Sequence, residues 1–110
     1  MAAPELLTVD DRVRLLVNAL ADESDHPPVV KLFTPDGVAT WLISKCDPDR
    51  LFGLYDLGLG FPELGYASLT EIAVVKGRLG LPVERDLHFV ADKPLSAYAE
   101  EARVSGRIVT

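Results

Sequence analysis

The sequence predicts one α+β domain: an antiparallel β-meander of about four strands with two to three helices, in the order αβββ(β)αβα. Three observations carry this reading. Apolar residues recur at helical spacing near both ends, β-branched and apolar runs are separated by short turn-forming clusters in the middle, and 110 residues are enough for one core but not for two. Residues 1–110 are therefore read as a single domain, with an exposed acidic, proline-rich loop over 21–28.

The first helix is expected over Asp10–Leu20, capped by Thr8 or Asp10 and presenting Val13, Leu16, Val17 and Leu20 as its apolar stripe. Pro27 and Pro28 forbid its continuation. Val29–Thr34 and Val38–Cys46, split by Pro35-Asp36-Gly37, read as a β-hairpin in which Trp41 faces the core. Leu51–Leu57 follows as a third strand, and Tyr66 and Ala67 as a brief fourth. Ser68-Leu69-Thr70-Glu71 matches a capping box and opens a short helix. Val83–Val90 alternates as a strand, with Glu84, Asp86 and His88 on one side and Arg85 among Val83, Leu87 and Phe89 on the other. A last helix begins near Pro94, capped by Asp92, buries Leu95, Tyr98, Ala99 and Ala102, and stops at Gly106. The sheet is expected to carry its helices mainly on one face.

Composition narrows the function. Hydrophobic residues are 48% and charged residues 25%, as in ordinary soluble domains. A net charge of −6 disfavours a generic nucleic-acid binder. No run is long enough to span a membrane, and the single Cys46 forms no internal disulfide, so a cytoplasmic location is expected. Cys46 reads as a buried thiol, and the Gly58–Gly65 loop lacks the spacing of a phosphate cradle.

Two carboxylates on one strand face, Glu84 and Asp86, are candidate ligands for Mg²⁺ or Mn²⁺, with Glu63 or Asp56 supplying further oxygen donors. Arg85, aimed at an apolar face, must snorkel or find a carboxylate, for which Glu63, Asp56 and Glu71 are the candidates; the alternatives are a substrate anion and a strand twist or bulge that returns it to solvent. Arg85, Trp41, Phe61 and Tyr66 are the candidate binding residues.

The segments Lys31-Leu32-Phe33-Thr34-Pro35-Asp36, Glu63-Leu64-Gly65-Tyr66-x-Ser68-Leu69-x-Glu71 and Gly80-Leu81-Pro82-Val83-Glu84-Arg85-Asp86-x-x-Phe89 occur in that order. With Leu6-Leu7-Thr8 and Leu95-Ser96, they resemble a bacterial family catalogued as domain of unknown function 2958. The resemblance implies an association with plasmids and integrated conjugative elements, and some members carry the label of single-stranded DNA endonuclease. Its pattern covers Trp41, Glu63, Tyr66, Glu71, Glu84, Arg85 and Asp86, but not Asp56 or His88.

The favoured expectation is a small acidic accessory protein of mobile genetic elements that binds a protein partner, such as a host-defence component, through an acidic, partly aromatic face and without a cofactor. One alternative is a metal-dependent nuclease on single-stranded DNA, with Glu63, Glu84 and Asp86 as ligands and catalytic carboxylates and Arg85 against phosphate. The other is a structural domain that dimerises through a sheet edge. Enzymatic activity and oligomeric state are left open by the residues.

Overall fold

The computed structural model describes residues 6–21, 25–47 and 50–110. Residues 1–5, part of the loop expected at 21–28 (22–24), and residues 48–49 lie outside the described residues. The elements run α1 (Val9–Leu20), β1 (Val30–Phe33), β2 (Thr40–Asp47), β3 (Arg50–Asp56), β4 (Glu63–Ser68), α2 (Leu69–Ala73), β5 (Glu84–Arg85) and α3 (Leu95–Ser105). This is the expected element order, with five strands rather than about four.

The strands form one antiparallel sheet in the order β4-β3-β2-β1-β5. Strands β1 to β4 make the meander, since short turns join neighbours directly. The chain then passes through α2 and returns to the far side of β1, where Leu32 faces Arg85 and Phe33 faces Glu84. Strand β2 carries a bulge between Ile43 and Lys45. Beside it, a Cβ on Gly53 would come within 2.0 Å of the Leu42 carbonyl oxygen, so only glycine fits there.

Pleating sends alternate residues to opposite faces, and both faces are covered. One core gathers Leu7, Leu15, Val30, Leu32, Trp41, Ile43, Leu51, Ile72 and Val83 beneath α1 and α2. The other gathers Leu42, Leu54, Leu95, Tyr98, Ala102 and Ile108 beneath α3. Helices thus lie on both faces, not mainly on one. The reason is Leu42 and Leu54: they stand on the face opposite Trp41 and Ile43 and need an apolar cover of their own.

Local signals act largely as read. Thr8 caps α1 by accepting the Asp11 N–H at 3.1 Å, while Asp11 accepts the Thr8 N–H at 2.8 Å, a reciprocal capping box. Ser68 accepts the Glu71 N–H at 3.3 Å at the start of α2. Gly106 ends α3 with φ 74°. The cap of α3 differs from expectation. Asp25, from the distant acidic loop, accepts the Ser96 N–H at 3.1 Å, and the His26 carbonyl accepts the Leu95 N–H at 3.0 Å. Asp92 instead accepts the Tyr98 hydroxyl at 2.9 Å. Within the same loop, Asp25 and Pro27 are exposed, whereas Pro28 is buried. Buried Asp56 joins the meander to the C-terminal tail, accepting the Gly58 N–H at 2.8 Å and the Ile108 N–H at 2.9 Å.

Candidate interaction surfaces

The sequence reading centred on Glu84-Arg85-Asp86, and the structure gives each of these residues a separate role. Only Glu84 and Arg85 are strand; Val83–Val90 is not a continuous one, because Asp86 already turns away while its N–H still reaches the Lys31 carbonyl at 2.9 Å. Arg85 points under α1 and makes a bidentate ion pair with Asp11, its second nitrogen at 2.9 Å. The partner is none of Glu63, Asp56 or Glu71. Asp11 is 3% exposed, so the guanidinium and the Thr8 N–H together hold a buried carboxylate. Arg85 is therefore a clamp between β5 and α1.

Asp86 lies 3.5 Å from Lys31 and accepts the His88 N–H at 2.9 Å. That amide donation, aided by the Lys31 charge, holds the Asp86 carboxyl below the usual carboxylate range. Glu84 is exposed. Glu63 stands on β4, at the opposite edge of the sheet. Four strand spacings of ~4.8 Å separate the two edges by roughly 19 Å, so Glu63 does not converge with Glu84 and Asp86. Among the described residues, no group of three or more His, Cys, Asp or Glu side chains is placed to hold a metal ion.

Beside Asp86 is a depression of about 380 Å³ whose charged groups already satisfy one another. Lys31 also donates to the Thr110 hydroxyl at 2.6 Å, Lys93 pairs with Glu101, and the Lys93 ammonium sits 4.6 Å from the centre of the Tyr98 ring. Burial pushes the Tyr98 phenol upward and does the same to the Cys46 thiol, which packs in the first core as expected. Trp41 is buried in that core too, so it presents no binding surface. Phe61 and Tyr66 are exposed.

Helix α1 departs most from expectation. It packs through Asp11 and Leu15, and Asn18 donates to the Ser44 carbonyl at 2.8 Å. Its apolar stripe points away from the core: Val13, Leu16, Val17 and Leu20 are exposed together with Val9, with Leu20 at 87%. Val9, Val13, Leu16 and Leu20 recur at intervals of four, three and four residues, and Val17 lies beside them, so they form one strip along the helix. Exposed Arg12 and Arg14 flank it. A groove of about 530 Å³ runs alongside, between Val13, Val17, Pro27, Pro28 and Val90. Helical periodicity marks the stripe as apolar without fixing which way it faces. The missed signal was Asp11, whose capping role fixes it in the first turn on the face that Arg85 must reach.

The fold and its surfaces define a small α+β domain, its sheet layered between helices, that leaves an apolar helix face and an apolar sheet edge without a neighbour among the described residues. No helix there is long and apolar enough to cross a membrane. The chain belongs to the family described as Protein of unknown function (DUF2958), whose model matches residues 6–109. No curated protein matches the chain, and no solved structure does.

Proposed function

We propose that this protein is a non-enzymatic binding module, the accessory protein expected from the sequence, whose docking surface is the outer face of α1. The observation that carries the reading is the solvent-facing strip Val9, Val13, Leu16, Val17 and Leu20, opposite the buried face of the same helix. Exposed apolar strips of this kind mark interaction sites. Spacing of four and three residues matches the seam along which one helix accepts another, so the occupant is an amphipathic helix. On the flanks, Arg12 and Arg14 stand against the single exposed carboxylate of Asp10, and this excess of positive charge favours acidic residues beside the partner's apolar seam. A second copy of α1 carries the same excess and fits less well, so the partner is a different protein, encoded by the host or by the element.

The test is photo-cross-linking in the native host from a reactive side chain placed at Val13 or Leu20, with a control position at Glu84. The expected result is an adduct with another protein, mapped to an acidic-flanked helix, that is lost in Leu16→Glu and weakened in Arg14→Glu. An adduct indifferent to Leu16→Glu, or one containing only a second copy of this chain, overturns the proposal.

A further inference from the structure

We infer that β4 pairs with β4 of a second copy, antiparallel about a two-fold axis at Gly65, continuing the sheet from one molecule into the next. Strand β4 ends the sheet and pairs only with β3 among the described residues. It spans six residues, carries one charged side chain, Glu63, and leaves one edge of its backbone groups without a ladder partner. Edges like this are normally shortened, charged or covered. Here the edge is apolar as well, with Leu64 50% and Tyr66 51% exposed, and with exposed Leu59 and Phe61 on the loop leading into it.

The occupant follows from register. A two-fold axis perpendicular to the sheet keeps each face continuous, so it must pass through a residue and not between two. Centred on Gly65, it sets Leu64 opposite Tyr66 of the second copy, twice, and Glu63 opposite Ala67, with no like charges facing each other. Centred on Tyr66, it would set Leu64 against Ser68 instead and lose the apolar match. Tyr66 is already held in place, its ring centre 5.0 Å from that of Phe52 and 4.8 Å from the Arg50 guanidinium, so little ordering remains to be done on association. Gly65 itself has ordinary backbone angles, and a Cβ added there would meet nothing within 4 Å. Among the described residues nothing requires glycine at that position, whereas the axis brings two copies of it face to face.

The experiment measures mass in solution by light scattering and sedimentation over a range of protein concentrations. The intact chain is expected to be a dimer. Gly65→Glu and Gly65→Lys, each alone, set like charges opposite at the axis and shift the mass to that of a monomer; mixing the two variants restores a dimer. Circular dichroism of each variant establishes that it is folded. A monomeric parent at every concentration overturns the inference, as does a dimer that survives Gly65→Glu. A dimer dissolved by Leu16→Glu instead would place the seam on α1 and overturn both this inference and the separate reading of that helix. Cross-linking from Val13 together with an unaffected monomer would overturn this inference alone.

Discussion

The two edges of the sheet are built in opposite ways. At the β5 edge the strand is only two residues long, Arg85 is locked beneath α1 by Asp11, and Asp86 is held by Lys31 and the His88 N–H. At the β4 edge the strand is three times as long, it bears one charge, and its large apolar side chains are half exposed. Two brief hydrogen-bonded positions reinforced by a buried ion pair make a closed end; six pairing positions without such reinforcement make an open one. Where a sheet closes itself with charge, the charged residues are structural, and the residues available to a partner are apolar ones.

Severing the locked edge should have the largest effect. Asp11→Ala leaves the Thr8 N–H without its carboxylate acceptor and strands the Arg85 guanidinium, and loss of one member of a buried pair costs about 3–5 kcal/mol. Urea unfolding should show this loss, and Asp11→Asn should recover part of it by keeping an acceptor for the Thr8 N–H. Next comes Gly53→Ala, which drives a methyl into the Leu42 carbonyl between the two edges and is expected to cost about 3 kcal/mol, read as a drop in Tm. A smaller effect belongs to Asp86. Its carboxyl titrates below its unfolded value near 3.8, so its contribution is complete above that pH and disappears as pH falls through the lower folded value. The parent should lose a few tenths of a kcal/mol more than Asp86→Asn between pH 5 and pH 2, the modest size expected of a solvent-accessible pair. Smallest of all, Glu63→Ala and Glu84→Ala should each change stability by less than about 0.5 kcal/mol in urea unfolding, because both carboxylates are exposed and neither holds a partner among the described residues.

Much of the fold was legible because its signals are local. Thr8, Ser68 and Gly106 mark helix ends by chemistry confined to one turn, and Asp36-Gly37 and the β-branched runs mark the hairpin. The candidate site was legible only in part, since its geometry is set by residues far apart in sequence. Arg85 reads as a residue that must snorkel or find a carboxylate, but Asp11 is 74 positions away, and an acid in the first turn of a helix has a local explanation of its own. Glu63 joined Glu84 and Asp86 on paper because all are acidic, whereas strand order sends them to opposite edges. The stripe of α1 was legible as apolar but not as exposed. Helical periodicity shows that a face is apolar; whether that face meets the core or another molecule depends on which side carries the tertiary anchor, here Asp11 and Leu15.

The Asp56 carboxylate has a bearing on how the chain matures. Its two acceptor oxygens hold the Gly58 amide beside it and the Ile108 amide near the far end of the sequence, and Ile108 is buried against Leu42 and Leu54. The core under α1 and α2 is complete once Val83 and Arg85 have been synthesised, but the core under α3 lacks its last apolar member until residue 108 leaves the ribosome. Emergence of the chain therefore has an order: one side of the sheet has all its members after residue 85, while the other leaves Leu42 and Leu54 without Ile108 until residue 108 follows.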